Sequence, residues 1–308
     1  MTMKKIRVFA LFLCALPLVG CTTARNSGET PTEPPASEMS WQDDGVLKIL
    51  TIGNSFSADS MEYVYQIAQN VGVKKIKLGN LYIGGCSLDL HATNAMEDLY
   101  AYRYYTNFDG SWSFEGSNLA NAIKSENWDY ISLQQASPSS GQPETYKQLN
   151  YLIGYVRELC PDAKIVWNMT WAYQQDSTHT GFANYGSDQM TMYNAILAAV
   201  EEKVKPNLEI HTIIPTGTAI QNARTSYKGD TLTRDGYHLS LDFGRYVAGL
   251  TFVHKLTGLS LENVDYMPAG VDENLRKIAI ESATNAVNSP TEVTKSVYTD
   301  APVVDESK

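Results

Sequence analysis

Five short apolar runs alternate with longer stretches of helical periodicity along this chain. Residues 48–52, 76–82, 130–134, 164–169 and 209–214 are rich in Ile, Leu and Val and short enough to be strands. Apolar side chains recur every three or four positions over 58–71, 118–125, 143–159, 187–203, 242–256 and 273–286, which predicts amphipathic helices. Strand and helix signals alternating in this way predict an α/β fold with a mostly parallel sheet. The expected architecture is a three-layer α/β/α sandwich on a central five-stranded sheet. Residues 46–287 suit one such domain, and no internal repeat interrupts them.

The flanks read differently. Lys4, Lys5 and Arg7 precede an apolar run, Val8–Leu16, that is too short to span a bilayer. Leu18-Val19-Gly20-Cys21 then looks like a bacterial lipobox, so residues 1–20 are expected to be a signal peptide and Cys21 the lipidated mature N-terminus. Residues 21–45 are rich in Thr, Pro, Glu and Ser, as expected of a flexible tether. Residues 288–308 are expected to form a loose tail. These features imply a membrane-anchored protein of the cell envelope. Loss of residues 1–20 takes away three positive charges and no negative one, moving the net charge from −10 to about −13. So acidic a chain is unsuited to binding nucleic acid, and its membrane attachment would come from the lipid.

Candidate chemistry lies at two places far apart in the sequence. The first strand stops at Gly53 and is followed by Asn54-Ser55, just before a helix. Open α/β sheets place ligands at the carboxyl ends of their strands, and a helix start offers free N–H groups. Ser55 there is either a cap or a nucleophile. Asp235 and His238 fall three residues apart in Arg234-Asp235-Gly236-Tyr237-His238. One turn can hold both, as a base for a serine and the group that orients that base. No His or Cys stands nearby at metal-ligand spacing, and no metal or organic cofactor is expected.

Four blocks, in order, give the chain a family resemblance: Gly53-Asn54-Ser55-Phe56-Ser57, Ile83-Gly84-Gly85-Cys86-Ser87, the segment after Trp128–Leu133, and Asp235–His238. It resembles the SGNH (GDSL-type) hydrolase superfamily with its flavodoxin-like fold, and within it a bacterial lipoprotein branch with this serine block (DUF4886-like). The third block departs from the superfamily pattern, with Gln134-Gln135 where Gly-x-Asn is usual. The resemblance implies Ser55, His238 and Asp235 as a catalytic triad. It also implies an oxyanion held by Ser55 and Gly85 N–H groups (Gly84 close behind) and by the Gln134 or Gln135 carboxamide, which offers the same donors as Asn. The implied reaction is hydrolysis of an O-acyl ester, most simply acetyl on a carbohydrate. A lipase- or thioesterase-type enzyme for longer acyl chains and a non-catalytic glycan-binding protein are the alternatives.

Asn54, Gln135, Trp171, Tyr173 and Tyr237 are candidate substrate contacts, with Trp167 near them. The aromatic segment from Tyr100 to Gly116 reads as a small hairpin, either packed on the domain or lining a sugar platform. His91 is expected at the surface or beside the substrate. The loop 174–186, with His179, is a candidate lid. Cys86 and Cys160 are either a disulfide or two buried thiols.

Overall fold

The computed structural model describes residues 44–301. The signal segment, Cys21 and nearly all of the tether lie outside the described residues. In chain order the elements are β1 (Val46–Gly53), α1 (Ser55–Met61), α2 (Val64–Asn70), β2 (Lys75–Tyr82), α3 (Leu88–Met96), β3 (Tyr102–Asn107) and β4 (Ser113–Ser117). There follow α4 (Leu119–Lys124), β5 (Tyr130–Leu133), α5 (Leu149–Leu159), β6 (Lys164–Asn168), α6 (Gln189–Ala199), β7 (Ile210–Ile214), α7 (Thr216–Arg224), α8 (Phe243–Thr257) and α9 (Glu273–Asn288).

The sheet runs β4-β3-β2-β1-β5-β6-β7. The five expected strands pair in parallel in the order β2-β1-β5-β6-β7, and they are buried almost throughout in β1, β5 and β6. The sheet has seven strands rather than five. The hairpin read from the aromatic segment does not merely pack on the domain; it extends the sheet. β3 pairs antiparallel with β2, and β4 with β3. Alternate β3 residues, Tyr102 and Tyr104, are buried. Pairing with the otherwise free edge of β2 satisfies the main chain of both.

Helices α1, α2, α7, α8 and α9 pack on one another as one set, and α3, α4 and α5 as another. The core is continuous from Leu47 and Ile49 of β1 to Phe252 of α8. The helix expected over 58–71 is two, breaking at Tyr63 (φ −107°, ψ 5°), whose hydroxyl donates to the Leu241 carbonyl at 2.6 Å. The expected loose tail is also corrected as far as Tyr298. Thr294 and Ser296 N–H groups donate to Asn222 Oδ1 and Thr225 Oγ1, each at 2.7 Å, and Tyr298 O accepts from Tyr227 N at 2.8 Å. Open polar groups at the end of α7 thus find their partners in the segment after α9.

The parallel order reverses direction at β1, with β2 on one side and β5 on the other. Crevices form outside strand ends at such a point. The carboxyl ends of β2, β1 and β5 lead into Ile83-Gly84-Gly85, Asn54-Ser55 and Gln134-Gln135, so three of the four sequence blocks meet there.

Candidate active site

Ser55 opens α1, with Asn54 as its N-cap in extended conformation. The fourth block arrives from the segment between α7 and α8. Arg234 N donates to His238 O at 2.9 Å and Ser240 N to Leu232 O at 2.8 Å, closing a tight turn. At its tip the Asp235 carboxylate accepts from the N–H groups of His238 (2.8 Å) and Tyr237 (3.3 Å). Its second oxygen lies 2.6 Å from His238 Nδ1. His238 Nε2 lies 2.8 Å from Ser55 Oγ. Burial works against the Asp235 charge, but hydrogen bonds from the His238 ring and main chain outweigh it and hold the carboxyl below its ordinary range. An ionised Asp235 fixes the proton on Nδ1 and leaves Nε2 free to accept from the serine.

Asn54 is fully engaged in the protein. Its Oδ1 accepts from Phe56 N at 3.0 Å and from Gln134 Nε2 at 2.9 Å, and its Nδ2 donates to Cys86 O at 3.0 Å. One side chain therefore ties together the start of α1, the end of β5 and the glycine turn after β2. In that turn Cys86 N donates to Ile83 O at 3.2 Å. Gly84 and Gly85 are exposed, and their N–H groups have no protein acceptor among the described residues. Gly85 adopts φ +65°, where any other residue is strained. Ser55 N, as the first helical N–H, likewise lacks an intrahelical acceptor.

The family described as "Domain of unknown function (DUF4886)" matches residues 48–286. The chain belongs to the DUF4886 family. It is similar to the crystal structure of a DUF4886 family protein from Bacteroides uniformis, at 42% identity over 81% of this chain and 98% of that one, with a TM-score of 0.78. A protein from Slackia heliotrinireducens proposed to be an SGNH hydrolase overlaps at 18% identity over 68% of this chain and 98% of that one, with a TM-score of 0.43. A mutant of an acetyl-xylooligosaccharide esterase from Geobacillus overlaps at 15% identity over 71% of this chain and 97% of that one, with a TM-score of 0.41. Likeness at those two scores does not bear on activity. No functionally curated protein matches the chain.

Several expected contacts are corrected in this DUF4886 chain. Gln134 is 2% exposed, with Nε2 on Asn54 and Oε1 accepting from Asn168 Nδ2 at 3.2 Å. It braces the serine turn rather than facing an open oxyanion pocket. Gln135 is buried as well: Oε1 accepts from Leu88 N (3.1 Å) and Ala136 N (2.8 Å), while Nε2 donates to Thr145. Asn54, Gln135, Trp171 and Tyr173 are all too buried to touch a substrate. Trp171 stacks on Phe56 with ring centroids 4.2 Å apart, and its Nε1 donates to Tyr237 O at 2.8 Å, so it supports the Asp235–His238 turn. Trp167 is buried against Tyr146. Tyr237 is half-buried and lies beside both His238 and His179, with centroids 4.2 and 4.7 Å away. Burial and the nearby His238 depress the His179 pKa, partly opposed by Asp235. The 174–186 loop packs directly on the Asp235–His238 turn. Gln174 N donates to Gly236 O at 2.8 Å, and a Cβ on Gly236 (φ +87°) would stand 3.0 Å from Ser177 Cα.

His91 is buried, not superficial. Its Nδ1 is 2.8 Å from the Tyr102 hydroxyl, its Nε2 has no partner among the described residues, and burial lowers its pKa to about 3. Cys86 and Cys160 are free buried thiols, and burial pushes Cys86 up to about 12. Among the described residues, no group of three His, Cys, Asp or Glu is placed to hold a metal ion.

One residue with a role at the site was not singled out from sequence. Asp59, one turn after Ser55 on α1, is wholly buried. Its carboxylate pairs with Arg234 at 3.0 Å and Arg245 at 2.8 Å, and accepts from Leu239 N at 2.9 Å. Arg234 and Leu239 bracket Asp235 and His238, so Asp59 fastens the turn that carries them to the helix that carries Ser55. The available signal was a carboxylate three residues after Phe56, on the apolar face of α1.

Proposed function

We propose that this chain is a serine esterase that hydrolyses an O-acyl, most simply O-acetyl, ester on a carbohydrate. The observation that carries the reading is the unbroken relay Ser55 Oγ, His238 Nε2, His238 Nδ1, Asp235. Ser55 attacks the carbonyl carbon as its proton passes to His238 Nε2. The N–H groups of Ser55 and Gly85 receive the oxyanion. Collapse of the tetrahedral intermediate expels the sugar alkoxide, which takes the proton from His238 and leaves an acyl-serine. His238 then deprotonates water, which attacks the acyl carbon, and the second collapse returns the proton to Ser55.

A short acyl group suits the surroundings. Phe56 and Trp171 are buried against each other and Tyr173 is buried beside Tyr237, so these three line no open groove for a long chain, while Tyr237 next to His238 is half-buried. The altered third block, which favours a non-catalytic glycan binder, has a structural account in the brace between Gln134 and Asn54. Cys21 acylation would hold the enzyme at the cell envelope; palmitate labelling that persists in Cys21→Ala would refute that. Among the described residues, no helix is long and apolar enough to cross a membrane.

The deciding experiment is turnover of an aryl acetate by the native protein, Ser55→Ala and His238→Ala. Native turnover with losses of at least about a hundredfold in both variants is expected. Folded native protein inert toward aryl acetates and longer acyl esters would refute an esterase.

A further inference from the structure

The relatively open face of α1 runs from Ser55 to Ala58 and on to Glu62, since Phe56, Ser57, Asp59, Ser60 and Met61 are buried. Residues three and four apart on a helix are neighbours, with Cβ atoms roughly 5–6 Å apart. This stripe therefore leads directly away from the nucleophile. It forms one wall of a cavity of about 240 Å³ lined by Ala58, Met61, Glu62, Asn80, Tyr105 and Trp112. Asn80 of β2 and Tyr105 of β3 are direct cross-strand partners and make the floor. Trp112, in the turn between β3 and β4, closes the far side and donates from Nε1 to Glu62 O at 3.4 Å.

The polar groups here are unevenly used. Asn80 is 3% exposed. Its Oδ1 is directed inward, accepting from Thr51 Oγ1 at 2.9 Å and sharing the Ser57 hydroxyl proton (Oγ at 2.8 Å) with the Asn54 carbonyl at 2.7 Å. Its Nδ2 has no protein acceptor among the described residues. Glu62 Oε2 is held by Arg245 at 3.2 Å, while Oε1 has no protein donor among the described residues. The cleft thus offers two half-buried aromatic rings, one unfilled donor at its floor and one unfilled acceptor at its rim.

We propose that this cleft is the subsite for one pyranose ring of the ester substrate, with the scissile acyl group directed along α1 toward Ser55. The proposal rests on the carbohydrate esterase reading above. A sugar ring has apolar C–H faces for Tyr105 and Trp112 and hydroxyls that can both accept from Asn80 and donate to Glu62. A hydrocarbon chain in the same space would leave the Asn80 donor desolvated and unpaired, which is unfavourable. The volume lies below the span of sites for drug-sized ligands and suits a single ring.

The test measures kcat/KM for 4-nitrophenyl acetate and for acetylated gluco-, xylo- and galacto-configured disaccharides in native, Trp112→Ala and Tyr105→Ala protein. Trp112→Phe serves as the conservative variant. The ratio of disaccharide to aryl acetate kcat/KM should fall about tenfold in each alanine variant through loss of one stacked ring, and recover in Trp112→Phe. Phe108→Ala, an exposed ring on the same hairpin outside the cleft, should leave the ratio unaltered. A ratio within twofold of native in both alanine variants overturns the proposal. So does a selective loss with 4-nitrophenyl hexanoate, which would give the cleft to the acyl chain. If native protein cleaves no acetyl ester, the esterase reading fails separately and the cleft is judged by binding. Saturable quenching of tryptophan fluorescence by an unacetylated disaccharide, lost in Tyr105→Ala, would sustain a sugar site, and its absence would overturn it.

Discussion

Replacing Asp59 with asparagine keeps the shape of the residue and removes the charge on which the Asp235–His238 turn is anchored. Asp59 is wholly buried and has two arginine partners, whereas the side chains of Arg234 and Arg245 remain 32% and 18% exposed. Breaking a fully buried ion pair by removing one partner costs about 3–5 kcal/mol, and the partial exposure of both arginines puts Asp59→Asn near the bottom of that range, at about 3 kcal/mol. In a domain of this size that lowers the melting temperature by roughly 6–12 °C. The amide also presents N–H groups to Leu239 N and the guanidinium groups, so the turn should shift. A displacement of about 1 Å at His238 can lower turnover of an ester about a hundredfold. Urea unfolding at pH 7 gives the first number, and aryl acetate kcat in the folded range gives the second. Glu62→Gln is the contrast: it removes the other, more exposed partner of Arg245 and should cost below about 1 kcal/mol. If Asp59→Asn also costs below about 1 kcal/mol and retains native kcat, the anchoring role assigned to Asp59 is wrong.

Two further perturbations test other parts of the fold. His91 is neutral when folded because burial depresses its pKa to about 3, while its unfolded value is near 6.5, so below pH 6.5 the unfolded chain binds more protons. Its contribution is fully present above pH 6.5 and declines by up to about 1.4 kcal/mol per pH unit down to about pH 3; a His91→Gln variant with the same pH slope of unfolding free energy would remove His91 as the cause. Gly236→Ala places a Cβ 3.0 Å from Ser177 at φ +87° and should destabilise by roughly 1–2 kcal/mol while lowering kcat, because the strain falls between Asp235 and His238; an unchanged melting temperature and kcat would contradict the close packing of the loop on the turn.

Local signals marked Ser55, Asp235 and His238 and the parallel strands. Asp235 and His238 meet within one turn, and Ser55 stands at the junction of an unmistakable strand and helix, so only the long-range docking was hidden. The fates of Gln134, Trp171 and Tyr173 were not readable in the same way. Each has a side chain equally suited to a pocket wall or to a packed interior, and tertiary contacts alone decide between them. The aromatic hairpin was legible as a hairpin, whereas its union with β2 depends on which strand edge remains free. Helix α7 escaped notice because Thr216, Thr218, Gln221, Asn222 and Arg224 are polar yet buried, their needs met by distant partners such as Thr294 N and Ala172 O, so no apolar stripe marks the segment. The tail misled for the complementary reason: its polar composition suits solvent, but it also supplies Asn222 and Thr225 with partners.

The triple attachment of Asn54 has a consequence for how a substrate is chosen. The serine turn, the glycine turn and the end of β5 meet on one carboxamide, so none can move relative to the others without breaking a buried hydrogen bond to Asn54. Such a centre is assembled before any ligand arrives. On the proposed esterase reading, discrimination among esters would come from which of them fits a finished shape, not from which can persuade the protein to adopt one.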